Sequence, residues 1–304
     1  MTQGSIVAGV LAPHPPHLVY GENPPQNEPK SECGWEELRW AYERCRANIK
    51  ALKPDVLIVH SPHWPTVVGT HFLGLPHFKG LSVDPVFPHL FRYTYDVKVD
   101  VELSLQIRDA CAKAGMATSV VTNPDFRLDY GSIICLHLIN PSWDIPVVLI
   151  SSNQAAFYFS NEIGAQVSKD LGDATRQAIE ISGKRAVLLA SSSLSHRHFV
   201  HEPDIPEDMS YERIHHHGQY LWDMKVIDMM KKGQCKELLD ILPEFIEMAA
   251  AEVKVGALSW MLEAMQIPSY PAIVHGYGTV IGTGNAVVEW NPSLQDKNAK
   301  GRNA

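Results

Sequence analysis

Residues 6–17 read IVAGVLAPHPPH, and residues 56–65 read VLIVHSPHWP. Each stretch begins with an apolar run rich in β-branched residues, which predicts a buried strand in a sheet that is covered on both faces. Proline cannot continue a central strand, and it holds the preceding residue in an extended conformation. Each strand is therefore predicted to end where its histidines begin. In open α/β sheets, ligands bind at the carboxyl ends of the strands.

The histidines that follow these two predicted strands are candidates for metal ligands. His14 and His63 lead, although both imidazoles could instead cap strand ends by hydrogen bonding to the backbone. His17 and His60 compete with them, but His60 lies within its apolar run and is expected to be a buried histidine. The histidines at residues 215–217 are expected on a solvated helix, where consecutive side chains diverge by about 100° and at most two can face one ion.

A catalytic metal needs a third protein ligand, for which Glu252 is the candidate. Three alanines at residues 249–251 precede it and allow close approach. Its apolar surroundings would leave a buried carboxylate in need of a partner. An ordinary exposed glutamate is the alternative. Two histidines and a carboxylate form the ligand set of non-haem iron(II) oxygenases, and the same three ligands could hold a zinc ion that activates water for hydrolysis.

Residues 191–196, SSSLSH, follow another predicted strand, and their last residue is a candidate acid–base catalyst. Histidine titrates near neutral pH, which suits His196 to proton transfer, with capping of the strand end as the alternative. The segment is not a nucleophile elbow because it lacks the G-x-S-x-G pattern. Residues 275–284, HGYGTVIGTG, are interpreted as a glycine-rich turn and not a dinucleotide loop, since no helix follows them.

Strands alternate with amphipathic helices along the chain. The predicted strands cover residues 5–12, 55–61, 66–73, 117–122, 146–151, 185–190, 272–274 and 279–289; the predicted helices cover about residues 35–52, 101–115, 132–138 and 160–182, and residues 211–265 throughout. Polar loops are predicted at residues 20–34 and 199–210. The first βαβ unit, residues 5–61, should cross over with a right hand and set its two strands parallel.

This order predicts the α/β class: a single domain with a central mostly parallel or mixed sheet, flanked by helices and with a C-terminal helical layer. The domain should span residues 1–290, followed by a mobile polar tail at 291–304. Of the 304 residues, 45% are hydrophobic and 20% charged, as in globular proteins. The net charge of −8, without a basic run, argues against a nucleic-acid surface.

The composition also predicts a cytoplasmic location. Residues 1–4 lack a basic region, and the apolar run after them is too short for a signal peptide or a membrane span. The five cysteines are odd in number and widely spaced, without a C-x-x-C pair. That pattern indicates reduced thiols and disfavours a disulfide framework or a zinc knuckle.

Together these motifs resemble the class III extradiol ring-cleavage dioxygenases, the iron enzymes related to protocatechuate 4,5-dioxygenase. The resemblance spans nearly the whole chain and rests on Pro13-His14-Pro15-Pro16, Ser61-Pro62-His63, Leu194-Ser195-His196, Ala251-Glu252, and Tyr277-Gly278 with Gly282-Thr283-Gly284-Asn285. It implies an iron(II) cofactor bound by His14, His63 and Glu252, and it implies that His196 is the acid–base catalyst.

One motif departs from the family pattern. Many catecholic relatives carry Asp-His-Gly where this chain has Asp129-Tyr130-Gly131. This departure removes a second active-site histidine and argues against catechol as the preferred substrate. The resemblance implies 2-aminophenol as the substrate cleaved with dioxygen, and Tyr130 as a hydrogen-bonding group at its heteroatoms or at dioxygen. It also implies a related α subunit in an α2β2 heterotetramer. A catechol-type substrate, a zinc hydrolase, a non-catalytic partner subunit and an interaction protein with a vestigial site are the alternatives.

Overall fold

A computed structural model of the chain describes residues 2–20, 35–64, 66, 68–86, 88, 91–151, 160–198 and 212–294. Several predicted features lie outside these ranges: the loop at 20–34 from residue 21 onwards, the loop at 199–210, and the tail beyond residue 294. The boundaries of the domain and of its tail therefore stay predictions.

The described residues form ten strands, eight α-helices and one 3₁₀ turn. The strands are β1 Ser5–Ala12, β2 Val56–Ser61, β3 Thr70–Leu73, β4 His77–Val83, β5 Arg92–Lys98, β6 Thr118–Val121, β7 Val147–Ser151, β8 Arg185–Ser191, β9 Ile273–Val280 and β10 Thr283–Trp290. The helices are α1 His17–Tyr20, α2 Trp35–Leu52, α3 Val101–Lys113, α4 Tyr130–Ile139, α5 Asn161–Ser182, α6 His217–Lys231, α7 Cys235–Ala249 and α8 Gly256–Ala264, and the 3₁₀ turn is Glu252–Val255.

Eight of the strands form one mixed sheet in the order β6-β3-β7-β2-β8-β1-β10-β9, and β4 pairs with β5 in a separate hairpin. The four central strands, β7, β2, β8 and β1, are parallel. This confirms the α/β class with a mixed sheet. β1 and β2 run parallel as predicted, but β8 lies between them, so the carboxyl ends of β1, β8 and β2 are neighbours at one edge of the sheet.

The central strands are predominantly apolar because helices cover both faces of the sheet. Along β8, Val187 and Leu189 pack in the core that includes α2 and α4. Leu188 and Ala190 pack in the core that includes α3, α5 and α8. Successive side chains of a strand point to opposite faces of the sheet, and here each face packs against its own hydrophobic core.

The C-terminal helical layer is less continuous than predicted for residues 211–265. α6 ends before Gly233, which has a φ of 71° and lies too close to the Tyr270 backbone to carry a side chain. The backbone breaks again after α7, because Ala250 is left-handed and Ala251 pairs with Ser195 in a two-residue β-bridge. The helical pattern in the sequence gives no sign of these breaks, because they result from tertiary contacts.

The interpretation of residues 275–284 as one glycine-rich turn is wrong. Residues 273–280 and 283–290 form the antiparallel pair β9–β10, and the turn is confined to Ile281 and Gly282. Gly276 belongs to β9, where a Cβ would lie 2.9 Å from the Ala41 Cβ on α2. The glycine thus serves a close approach of helix to strand.

Two expectations from the composition concern cysteines and membranes. The described cysteines, Cys45, Cys111, Cys135 and Cys235, are buried free thiols, whereas Cys33 lies outside the described residues. Among the helices that the structure describes, none combines the length and the apolar character needed to cross a bilayer.

Candidate active site

His14 and His63 lie two residues beyond the ends of β1 and β2, respectively. Their ring centroids are 4.7 Å apart, with the rings nearly perpendicular. His14 is buried, whereas the His63 side chain is 28% exposed. The prolines that end the two strands therefore bring the histidines together at the predicted edge of the sheet, in a position partly open to solvent.

Glu252 reaches the same place from the other end of the chain, as the first residue of the 3₁₀ turn. Its backbone N–H donates to the Leu194 carbonyl at 3.2 Å, and its Oε2 accepts a hydrogen bond from the backbone N–H of Ser193. The turn that follows is unusual, since Val253 and Lys254 have φ values of 41° and 52°. These contacts orient the carboxylate so that Oε1 points at the imidazoles.

Three imidazoles converge on Oε1 of Glu252. The Nε2 atoms of His14, His63 and His196 lie 3.2, 3.4 and 3.5 Å from it. Charge-assisted N–H···O bonds are typically about 2.7–2.9 Å long, and no described group makes a hydrogen bond of good geometry to this buried oxygen. Burial raises the pKa of Glu252, but electrostatic interaction with His14 and His196 outweighs it and holds that pKa well below its usual range.

The spacing of these atoms fits ligands of a single metal ion. Bonds of about 2.1 Å meeting at about 90–105° separate neighbouring ligand atoms by about 3.0–3.3 Å. The ligand atoms of His14, His63 and Glu252 all lie within 4.8 Å of one another. Two imidazoles and one carboxylate leave several coordination positions of an octahedral ion open. The site can therefore bind a divalent metal and present it to further ligands.

Hydrogen bonds outside this set fix the orientation of His14. Ser191, the last residue of β8, pairs its Oγ with Nδ1 of His14 at 2.8 Å and donates to the Gly131 carbonyl at 3.0 Å. Tyr42 on α2 donates to the Pro13 carbonyl. With Nδ1 engaged, Nε2 of His14 is left to face Glu252, an arrangement typical of metal-binding histidines.

The His63 corner is tied to the start of α4. Ser61 donates to the Asp129 carboxylate and accepts from the backbone N–H of His63 at 3.2 Å. A Cβ on Gly131 would lie 2.9 Å from the Ser61 Oγ and 3.1 Å from the His63 ring. Only glycine therefore allows α4 to approach this closely.

Tyr130, the first residue of α4, lies against His63. Its hydroxyl is 2.8 Å from Nε2 of His63, and the two ring centroids are 4.2 Å apart. Burial, with smaller contributions from Asp84 and Glu252, raises the pKa of Tyr130, so the phenol is neutral. The structure thus brings Tyr130 together with the candidate metal ligands.

His196 lies five residues beyond β8 and not at the end of the strand as predicted. Its neighbour Ser195 pairs with Ala251, and this bridge carries His196 to Glu252. Burial lowers the pKa of His196, although Glu252 opposes the shift. The ring of His198 lies 4.7 Å from that of His196, and burial lowers the pKa of His198 to about 4. The prediction overlooked His198, which its spacing of two residues from His196 could have indicated.

Residues 8–284 match the family described as the catalytic LigB subunit of aromatic ring-opening dioxygenase. The chain belongs to this family. The β subunit of 2-aminophenol 1,6-dioxygenase from Pseudomonas sp. is 60% identical over 291 residues, which cover 96% of this chain and 95% of that protein. The α subunit of the same name, also from Pseudomonas sp., is 26% identical over 275 residues, 90% of this chain and 97% of that one.

The chain is also similar to a more distant protein and to a solved structure. The 3,4-dihydroxyphenylacetate 2,3-dioxygenase of Escherichia coli is 27% identical over 266 residues, 84% of this chain and 91% of that protein. The crystal structure of an uncharacterized Escherichia coli K12 protein has a TM-score of 0.58 and covers 93% of this chain and 99% of its own, at 14% identity. At that identity the similarity concerns the fold alone. Membership of the LigB family implies a catalytic metal, which the donor set described above fits.

Other histidines of this LigB-family dioxygenase lie in different surroundings. His17 begins α1 and its ring packs 4.8 Å from that of Trp35, while the buried His60 packs 5.3 Å from Trp260. Of residues 215–217, only the last belongs to α6, and the last two are exposed. The expectation of a solvated tract holds for these two, although most of the tract precedes the helix.

A second cluster of possible ligands in the dioxygenase, Cys45, His275 and Glu289, has the geometry of a hydrogen-bond network. Nε2 of His275 is 2.7 Å from a Glu289 oxygen, which is the length of a direct hydrogen bond. Asn48 and Asn291 donate to the same carboxylate at 2.9 and 2.7 Å. Both oxygens of Glu289 are thus occupied, whereas Oε1 of Glu252 is not.

Proposed function

We propose that this chain is the catalytic subunit of a dioxygenase that opens the ring of 2-aminophenol, at an iron(II) ion held by His14, His63 and Glu252. The carrying observation is the buried Oε1 of Glu252, which faces two imidazole nitrogens at spacings that suit metal ligands. The choice of 2-aminophenol rests on the 60% identity, over nearly the whole chain, to a protein named as the β subunit of 2-aminophenol 1,6-dioxygenase.

The charge of the ligand set matches the substrate. Two neutral imidazoles and one carboxylate leave a divalent ion with one net positive charge, which a singly deprotonated aminophenol neutralises. When bound, iron(II) supplies adjacent positions for the two substrate heteroatoms and dioxygen and lets electrons pass from the ring to oxygen. The product is 2-aminomuconate 6-semialdehyde. This product contains both atoms of the dioxygen molecule, so no external reductant is consumed.

His196 is proposed to accept the proton of the substrate hydroxyl and to return it later in the reaction. Because burial lowers its pKa, His196 is neutral near pH 7 and can accept the proton of the substrate hydroxyl. The imidazolium it forms is stabilised by Glu252, 3.5 Å away, and returns the proton as the ring opens. His196 is thus unchanged after each turnover.

Tyr130 is proposed to orient the substrate. The Tyr130 hydroxyl lies 2.8 Å from Nε2 of His63, the atom with which His63 would hold the metal. With that nitrogen bound to a metal, the hydroxyl would be free to donate to the substrate. Because the phenol stays neutral, it adds no charge to a site that the substrate already neutralises.

The deciding experiment measures oxygen uptake by iron-loaded protein with 2-aminophenol and with catechol. We expect faster turnover of 2-aminophenol, and we expect His14→Ala and Glu252→Ala to lose both bound iron and turnover. His77→Ala is the control, because His77 pairs with Asp96 in the separate β4–β5 hairpin. Full iron occupancy in His14→Ala or Glu252→Ala would contradict the ligand set.

Other outcomes would favour the alternative functions. Faster turnover of catechol would contradict 2-aminophenol as the substrate but would not affect the proposed metal ligands. Bound zinc without oxygen-dependent turnover would favour a hydrolase. No turnover of any aminophenol or catechol by iron-loaded protein, alone or with an α chain, would favour a non-catalytic subunit.

We also propose that the chain assembles with a related α chain as an α2β2 heterotetramer. The relative at 60% identity is named as a β subunit, and a protein named as the α subunit is itself 26% identical to this chain. All three proposed metal ligands lie within one chain. An α partner would therefore not be needed to complete the ligand set.

A further inference from the structure

Asp223 on α6 is a fully buried carboxylate outside the set of candidate metal ligands. It accepts three hydrogen bonds. Oδ1 accepts from the backbone N–H of Ser195 at 3.0 Å, and Oδ2 accepts from the Ser195 hydroxyl at 2.7 Å and the Tyr277 hydroxyl at 2.8 Å. Two of the three donors thus belong to the residue that precedes His196.

The segment that Asp223 holds also contacts Glu252 and the residue before it. Ser193 donates to Glu252, and the Leu194 carbonyl accepts from the Glu252 backbone. Ser195 pairs with Ala251 across the bridge, and His196 follows directly. Loss of a contact at Ser195 would therefore displace His196 first, whereas the hydrogen bonds to Ser193 and Leu194 continue to hold Glu252.

β10 also holds this segment. The backbone N–H of Leu194 donates to the Gly284 carbonyl at 2.9 Å, and that of Gly284 donates to the Ser195 carbonyl at 3.0 Å. A Cβ on Gly284 would lie 1.8 Å from the Asp223 carboxylate. Glycine at this position therefore allows Asp223 to reach Ser195, which gives Gly284 a specific role.

We propose that Asp223 is a positioning residue for ring opening: it fixes the backbone of residues 193–196 and thereby aims His196 at the substrate. This rests on the acid–base role proposed for His196. A carboxylate suits the task because it accepts from all three donors at once. Burial raises the pKa of Asp223 to about 6, while the donors from Ser195 and Tyr277 lower it. Ionised Asp223 thus accepts hydrogen bonds without giving one away.

Asp223→Asn tests the proposal with little change of volume. The amide keeps one acceptor oxygen and turns an NH2 group toward donors, so at least one contact to Ser195 or Tyr277 is lost. We expect kcat to fall by about 10–100-fold, the order expected when a catalytic group is displaced by about 1 Å. KM should change little, and iron should remain bound.

The same substitution in His196→Ala protein shows whether Asp223 acts through His196. His196→Ala alone should retain iron and lose about 10²–10⁴-fold in turnover. If Asp223 works by aiming His196, Asp223→Asn should cause no further loss in that background. Equal loss factors in both backgrounds, or unchanged kcat in Asp223→Asn, would overturn the proposal. Full turnover in His196→Ala would instead remove the acid–base role on which the proposal rests.

Glu289→Gln is the matched control for general destabilisation. Glu289 is also a fully buried carboxylate with three hydrogen-bond partners, His275, Asn48 and Asn291, but it has no contact with residues 193–196. Loss of kcat in Glu289→Gln to the same extent, at an equal drop in unfolding midpoint, would contradict a specific role for Asp223. Should Asp223→Asn not fold, Ser195→Ala removes one contact at its source, and about threefold to tenfold lower kcat is expected; unchanged kcat there would also overturn the proposal.

Discussion

The hydroxyl of Tyr130 lies beside one of the proposed metal ligands. It now pairs with Nε2 of His63 at 2.8 Å. That nitrogen is also a proposed metal ligand, and a metal would leave the hydroxyl to the substrate or to dioxygen. The family resemblance implies a histidine at this position in catecholic relatives, so we expect discrimination between aminophenol and catechol to depend on Tyr130.

Replacement of Tyr130 should change turnover without releasing iron. Tyr130→Phe should cost about 1–3 kcal/mol of transition-state stabilisation in kcat/KM, as for a hydrogen bond left unmade at a buried site. Tyr130→His, which restores the pattern of the catecholic relatives, should raise turnover of catechol relative to 2-aminophenol. The measurement is kcat/KM for both substrates in both variants. Ratios equal to those of the unmodified protein would make Tyr130 a packing residue only.

Glu212 should make stability depend on pH. Its two carboxylate oxygens lie 3.0 and 2.9 Å from the backbone N–H of Ile281, in the β9–β10 turn. Burial raises the pKa of Glu212 from its ordinary 4.5 to about 7, against the hydrogen bond from Ile281. The unfolded chain therefore releases this proton first. The protonated form of Glu212 therefore favours the folded state. Its contribution to the free energy of unfolding is complete below about pH 4.5 and is lost as the pH rises through about 7.

Glu212→Gln should remove this part of the pH dependence, because glutamine keeps the acceptor oxygen and does not ionise. The measurement is the urea midpoint of metal-free protein between about pH 4.5 and 8, where the unmodified chain should lose stability with rising pH and the variant should lose less. Glu247→Gln, at an exposed glutamate on α7, is the control. Identical profiles for all three proteins would show that Glu212 does not titrate in this range.

The start of α4 couples a helix to the site. Asp129 is the N-cap of α4 and accepts from the Ser132 backbone at 2.9 Å, and it also accepts from Ser61 at the end of β2. One carboxylate thus satisfies an open N–H of the helix and holds the corner that carries His63. The helix end and the histidine are therefore expected to respond together to a substitution.

Asp129→Ala should lower both stability and metal affinity. Loss of the cap should cost about 1 kcal/mol in the free energy of unfolding. Loss of the Ser61 contact should weaken iron binding by about 10–100-fold, as for other residues that orient metal ligands. Ser160→Ala, which removes the N-cap of α5, should cost similar stability and leave iron affinity unchanged. Equal iron affinity in Asp129→Ala and Ser160→Ala would show that the N-cap of α4 does not contribute to metal binding.

At the level of the assembled molecule, this chain and an α-type partner are expected to be similar in fold, since the α subunit relative covers 90% of the chain. Expressed alone, the chain should bind iron but not reach full activity. Co-expression with an α-type chain should give an active species with the mass of an α2β2 tetramer, measured by light scattering with activity assays. A stable and fully active monomer would refute the assembly.

Local sequence was sufficient wherever the physical cause is local. Proline stops β1 and β2, so the sequence alone predicts that His14 and His63 lie just beyond strand ends. The apolar spacing of residues 35–52 predicted α2, and continuous apolar runs predicted the central strands because both faces of the sheet are covered. The family motifs supplied Glu252 and His196, which spacing alone could only suggest.

Tertiary structure decided what depends on contacts between distant parts of the chain. Nothing local to β1 or β2 indicates that β8 inserts between them, since strand order is set by how all the helices cover the sheet. The bridge from Ser195 to Ala251 joins residues more than fifty positions apart. It carries His196 away from its strand and interrupts the helical run before Glu252. Asp223 reads in sequence as an ordinary polar residue of a helix. Its burial against Ser195 and Tyr277 arises only when α6, β9 and the 193–196 segment pack together, because hydrogen bonds between such distant groups leave no periodic pattern in the sequence.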